Sequence, residues 1–184
     1  MALALFIRPD DTMLQSYVES NYDQNQLRAL IYDVQQMKIL TVIGTGLYAE
    51  LETQITANTL TALNTTLLEK IRPALRMYVL SMGMEVFNYK IRNKGVQTQS
   101  SENAQPVGLN ELDRLIRKYD DMAQVYADRI KNYLLENTTS YPLYSNPGTG
   151  VDIIHPDGNT YSVGLYLGRG GYNCRIIDRD ESIY

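Results

Sequence analysis

Residues 109–134, LNELDRLIRKYDDMAQVYADRIKNYL, decide the fold class of this chain. Apolar side chains recur along the whole stretch at steps of three and four residues, which is the period of one face of an α-helix. Charged residues fill the opposite face, as on a helix that packs against a body on one side only. The spacing predicts a long amphipathic helix, with Asn110 as its N-cap and Asp113 at the third position after it.

A second apolar stripe, over residues 63–92, predicts a partner of similar length. Pro73 lies inside this stripe, where a proline removes one backbone hydrogen bond and crowds the preceding turn. Either a short helix ends at Arg72 and a new one begins with proline in its first turn, or one helix continues with a kink. The stripe stays in phase across Pro73, which favours the kink.

The N-terminal part of the chain predicts shorter helices. Residues 9–22 form a short helical pattern, and Asp23 then resembles the N-cap of a helix over about 24–39. Residues 39–46, ILTVIGTG, interrupt the pattern before it resumes at Leu47. The buried stripe of the helix over 24–39 is predicted to contain Leu27, Leu30, Ile31, Val34 and Met37.

The helical period ends near residue 138, and a segment rich in Tyr and Gly follows. Alternating apolar residues after a tight-turn signal in this segment predict strands. We therefore expect a mainly α fold, a helical bundle of four to five helices with a small C-terminal β-hairpin arm. The predicted domains are a helical domain over 1–145, with a polar loop over 93–108 between its two longest helices, and a β-rich arm over 146–184.

Composition narrows the class of protein. The chain has 184 residues, of which 44% are hydrophobic, enough for a core. No run of 18 apolar residues could span a membrane, and the N-terminus has no basic region or cleavage site typical of a signal peptide. The net charge of −4 argues against a protein that binds duplex DNA through a basic face.

No motif in the sequence carries catalytic, cofactor or metal chemistry. The single Cys174 and the single His155 exclude a disulfide framework and the common zinc patterns. Gly44, Gly46 and Ala49 match the G-x-G-x-x-A spacing of dinucleotide-binding loops, but the acidic second strand that such a fold needs is missing. We read these glycines as a corner between two helices, and we predict no enzyme activity, cofactor or metal.

The polar strip and the tyrosines are candidate contact surfaces. The chain has 15 Tyr against 2 Phe and no Trp, and tyrosine combines apolar area with a hydroxyl that can face a partner. The strip over 93–108 is longer than an ordinary connection between helices. The residues predicted at partner interfaces are Gln97, Gln99, Glu102, Tyr141, Pro142, Tyr144, Tyr161, Tyr166, Arg169 and Tyr172.

The order of these pieces resembles a known family. Short helices around DQNQLRALIYDVQQMKIL and GLYAELETQI precede two long helices, a polar insert separates the long helices, and a β tail follows. Over residues 10–145 this order is similar to the small structural proteins of tailed phages, in particular crAss-like and other Bacteroidetes phages. The resemblance rests on length, element order and the abundance of Tyr, Asn and Gln rather than on a diagnostic motif.

The resemblance implies a virion protein of the head-to-tail connector type. Such adaptors assemble as rings, often dodecamers, between the portal protein and the tail or further ring proteins. DNA would pass through the lumen without specific binding, and the protein would be made in the host cytoplasm and reside in the virion neck. The residues alone leave a second hypothesis open, a soluble helical binding or regulatory protein that acts as a monomer or dimer without catalysis.

Overall fold

The computed structural model of the chain describes residues 3–14, 23–92, 95–98 and 108–156, and of residues 13–14, 87–92 and 95–98 it describes the backbone alone. The described part is mainly helical, as the sequence predicts. The elements in chain order are α1 (Pro9–Leu14), α2 (Gln24–Val34), a π-helical segment (Gln35–Ile39), α3 (Leu40–Ile43), α4 (Thr45–Ala57), α5 (Ala62–Asn88), β1 (Tyr89–Arg92), β2 (Gly95–Thr98), α6 (Leu109–Glu136) and α7 (Pro142–Ser145).

The two long helices α5 and α6 pack against each other and form the frame of the body. The 28 residues of α6 make a rod of roughly 40 Å at 1.5 Å per residue. The pairing is antiparallel, because Ser81 of α5 donates to the Ile116 carbonyl at 3.1 Å while Tyr78 donates to Gln124 at 3.2 Å. Buried side chains from both helices, Leu67, Leu68, Ile71, Leu75, Ala123, Ala127, Ile130 and Leu134, form the centre of the core.

Helix α5 runs unbroken from Ala62 to Asn88 with Pro73 inside it. The prediction that the helix continues through Pro73, rather than ending at Arg72, is therefore confirmed, and the kink stays a prediction. The lost hydrogen bond of the proline is tolerated because its neighbours Ile71, Ala74 and Leu75 are fully buried and hold the helix against the core.

The first layer over this frame is α2, which Asp23 caps as predicted by accepting a hydrogen bond from the Asn25 amide at 2.9 Å. Met37 does not continue the buried stripe of α2, since 57% of its surface is exposed. The reason is the π-helical segment, whose wider turn rotates the following residues around the helix axis. In place of Met37, the segment buries Gln35 and Ile39.

The cap predicted for α6 is wrong. The helix begins at Leu109 with Gly108 as its N-cap, and the Gly108 carbonyl accepts from the Leu112 amide at 3.0 Å. Asn110 therefore lies inside the first turn. The extended backbone of Gly108, rather than a capping side chain, sets the start of the helix.

The helix predicted over residues 63–92 ends early, and the polar strip begins as a β-hairpin. Strands β1 and β2 are antiparallel, with Tyr89 opposite Thr98 and Arg92 opposite Gly95. The alternation of apolar and basic residues in β1 favours a strand once the helix is no longer held by the core. Residues 99–107 and the predicted C-terminal strands lie outside the described residues.

Candidate functional site: a glycine corner and two clefts

The glycine corner at the start of α4 is occupied by the chain itself. Gly44 has φ +79°, a conformation that L side chains rarely adopt. The Thr45 amide donates to the Ile154 carbonyl at 3.0 Å, and the Ile154 amide donates to Thr45 Oγ1 at 2.8 Å. The segment 147–156 therefore lies across the N-terminus of α4, where a dinucleotide fold would hold its pyrophosphate.

Both glycines of the motif are required by this close approach. A Cβ on Gly44 would lie 2.8 Å from Pro156 Cδ, and a Cβ on Gly46 would lie 2.7 Å from the Pro147 carbonyl oxygen. Such distances are shorter than a Cβ can accept, so the segment 147–156 would have to move. The expectation of a helix corner that uses glycine is confirmed, and the motif serves packing.

Gln35, at the start of the π-helical segment, ties the N-terminal segment into the core. Its Oε1 accepts from the Phe6 amide at 2.9 Å, and its Nε2 donates to the Ala4 carbonyl at 3.0 Å and to the Tyr48 hydroxyl at 2.7 Å. Arg72 adds a bond from its Nε to the Phe6 carbonyl at 3.3 Å. Burial raises the pKa of Tyr48, so this hydroxyl stays neutral as a hydrogen-bonding group.

The tyrosines near the end of the helical body also point inward. Tyr141 is 2% exposed and donates to the Leu63 carbonyl at 2.8 Å, and its hydroxyl lies 3.3 Å from that of Tyr133. Burial, and then the neighbouring Tyr133, raise the pKa of Tyr141. Tyr144 is 6% exposed. These two rings, predicted at a partner interface, are placed in the core of the chain, where they anchor α7.

The other predicted interface residues are dispersed. Gln97 lies in β2, and Pro142 is exposed at the first position of α7. These two residues lie in different elements of the described chain. The remaining predicted interface residues lie outside the described part of the chain: Gln99, Glu102, Tyr161, Tyr166, Arg169 and Tyr172.

A charged cleft of about 460 Å³ opens between the π-helical segment, α5 and α6. Lys38 Nζ lies 3.7 Å from Asp120 Oδ1 and 5.2 Å from the centroid of the Tyr78 ring. The cleft combines charged and apolar side chains. The cleft is lined by Met37, Lys38, Ser81, Met82, Glu85, Ile116, Arg117, Asp120 and Asp121.

No sequence pattern predicts this charged cleft. In the sequence, Arg117, Asp120 and Asp121 belong to the charged face predicted for the long helix, and Met37 belongs to a predicted buried stripe. The π-helical turn brings Met37 and Lys38 to the rim, and the sequence carries no recognised signal for such a turn. A methionine followed by a lysine at the end of a buried stripe is the feature that could have drawn attention to it.

A second cleft, of about 530 Å³, lies beside the N-terminal segment. Leu3, Tyr32 and Glu52 contribute to its walls, together with Ala4, Thr53, Thr56 and Ala57. Over the described ranges, no group of three or more His, Cys, Asp or Glu side chains is arranged to hold a metal ion. In the same part of the chain, no helix is both long and apolar enough to cross a membrane.

Comparison with known protein families identifies a match. Residues 39–153 match the family of unknown function DUF6712, and this range covers more than half of the chain. The chain belongs to the DUF6712 family. No curated protein and no solved structure matches it. The matched range of this DUF6712 chain contains the glycine corner, most of the segment that covers it and seven of the nine residues that line the charged cleft; Met37 and Lys38 precede it.

Proposed function

We propose that this DUF6712 chain is a structural virion protein, a connector subunit that assembles as a ring between the portal and the tail of a phage. The element order supports the proposal. Short helices precede two long helices, and the polar strip separates the long helices, which is the order in which the chain resembles the phage structural proteins. The observation that carries it is a set of exposed apolar side chains along α6. Leu109, Val125 and Leu135 are 68%, 57% and 48% exposed.

Exposed apolar residues favour assembly where a partner covers them, because their contact with water is unfavourable. A ring needs two different patches on each subunit, since head-to-tail contacts close by rotation. The described part of the chain offers two candidate patches of different chemistry. One is the charged cleft, and the other is the hairpin β1–β2. A net charge of −4 is compatible with DNA that slides through a lumen without being held.

The second candidate is a helical binding or regulatory protein that works as a monomer or dimer. The charged cleft favours this function as well, because methionines beside charged groups form adaptable binding surfaces. The two candidates differ in the number of copies that come together and in whether a portal protein is the partner.

The test is the mass of the purified chain in solution, alone and after mixing with a candidate portal ring. The connector function predicts a shift from one chain of 21.0 kDa to a closed many-copy species, alone or on the portal. The mixture with an unrelated acidic ring protein is the control. If the chain stays a monomer or dimer and does not bind the portal, the connector function is rejected and the binding or regulatory protein becomes the favoured function.

A further inference from the structure

We propose that the hairpin β1–β2 of one copy docks into the charged cleft of the next copy. This inference rests on the proposed ring and names the contact that joins neighbouring subunits. The contact is head-to-tail, because each copy contributes its hairpin to one neighbour and its cleft to the other. The occupant of the cleft is thus a second copy of this chain.

The hairpin is an element that needs a partner. Its strands are four residues each, and within the described part of the chain they form a two-stranded sheet. A two-stranded hairpin alone is marginally stable in water, and within the described residues neither of its edges pairs with a further strand. Packing against a second copy would add burial to the hairpin.

The hairpin has two faces of different chemistry. The register places Lys90 opposite Gln97 and Arg92 opposite Gly95, so the two basic residues share one face. Ile91 lies opposite Val96 on the other face. Between Tyr89 and Thr98 the sequence has three basic residues and no acidic residue. The hairpin is therefore a basic element with one apolar face.

The cleft has the complementary chemistry. Three of its lining residues are acidic and two are basic. Lys38 already pairs with Asp120, which leaves Glu85 and Asp121 at the rim against Arg117. Glu85 and Asp121 are exposed. Three apolar side chains, Met37, Met82 and Ile116, lie among these charges.

The two patches lie near each other on the subunit. Glu85 precedes Tyr89 by four residues, so the cleft and the hairpin lie about 6 Å apart along the axis of α5. A head-to-tail contact between them forms a ring only where the rotation from one copy to the next closes.

The test exchanges the charges of the two patches. The hairpin variant carries Lys90→Glu and Arg92→Glu, the cleft variant carries Glu85→Lys and Asp121→Lys, and a fourfold variant carries all four changes. We expect loss of the assembled species in each double variant under conditions where the wild type assembles. The fourfold variant, and a mixture of the two double variants, should recover it, because each restores opposite charges across the contact.

A control variant, Arg28→Glu with Arg114→Glu, makes the same change in net charge as the hairpin variant at two exposed positions outside both patches. It should assemble like the wild type. Circular dichroism on every variant checks that the chain is folded. The contact would be overturned if the double variants assemble, if the control variant does not assemble, or if neither the fourfold variant nor the mixture assembles. Each of these outcomes leaves the proposed ring untouched as long as the wild type assembles. If the wild type never assembles, the proposed connector ring is rejected together with the contact.

Discussion

The π-helical segment serves two sides of the molecule that differ sharply. On its inner side Gln35 is fully buried, and each polar atom of its amide group has a partner within 3.0 Å. On its outer side Met37 is 57% exposed and Lys38 makes a 3.7 Å ion pair at the rim of the charged cleft. The inner side is specified by complete hydrogen bonding, whereas the outer side leaves apolar and charged groups uncovered. This difference indicates that the inner side stabilises the fold and the outer side is available to a partner.

The largest effect is expected from Gln35→Leu, which breaks the inner side. The change leaves the Phe6 amide and the Ala4 carbonyl without their partner, and the Tyr48 hydroxyl loses one of its hydrogen bonds. Each buried unsatisfied group costs about 1–3 kcal/mol, so we expect a loss of about 3–5 kcal/mol in the free energy of unfolding, measured in urea. Gln36→Leu is the control, because Gln36 is half-buried and makes one bond of 3.2 Å. A loss no larger than that of the control would contradict the role given to Gln35.

The next effect is expected from Gly46→Ala, which tests the glycine corner. The added Cβ would meet the Pro147 carbonyl oxygen at 2.7 Å, so the segment 147–156 must shift. We expect a loss of about 1–3 kcal/mol, typical of an overpacked site. Hydrogen exchange should show faster exchange at the Thr45 amide. Gly150→Ala is the matched control, since its Cβ would make an ordinary contact of 3.6 Å. Equal losses in the two variants would contradict the account of the corner.

A smaller, pH-dependent effect is expected from the two buried hydroxyls. The pKa of Tyr48 and Tyr141 is raised, chiefly by burial, above the value of about 10 for an unfolded tyrosine. Their contribution to stability is therefore fully present below about pH 10 and is lost as the pH rises through the folded pKa. The free energy of unfolding should fall above about pH 10. Tyr141→Phe should lower stability by about 1–2 kcal/mol at neutral pH and flatten that fall. An identical alkaline fall in the variant would exclude Tyr141 as its source.

The smallest effect is expected on the outer side, from Asp120→Asn. The ion pair with Lys38 is partly exposed, with side-chain exposures of 38% and 47%, and such pairs contribute about 0.2–1 kcal/mol. We expect a change within that range in urea unfolding, which salt should diminish. A loss as large as that of Gln35→Leu would show that the cleft is part of the stabilising core, and the contrast between the two sides would fail.

The sequence predicts the helices because their apolar stripes are long and regular. The α5–α6 frame, the continuous helix through Pro73 and the Asp23 cap all follow from local rules. The sequence could not predict that Gln35 is buried and Met37 is exposed. One π-helical turn exchanges the buried and the exposed positions, and it has no recognised sequence signal. The hairpin β1–β2 was missed since its apolar residues also fit the preceding helical stripe. The cleft depends on side chains from three elements, and only the packing brings them together.

The most direct measurement is disulfide cross-linking between the hairpin and the cleft. In a background with Cys174→Ser, one variant carries Gln97→Cys, one carries Met37→Cys and one carries both. Head-to-tail contact predicts a ladder of covalent oligomers from the double variant under oxidation and single chains from each of the other two. Dimers from either single-cysteine variant, or single chains from the double variant when the wild type assembles, would contradict the contact.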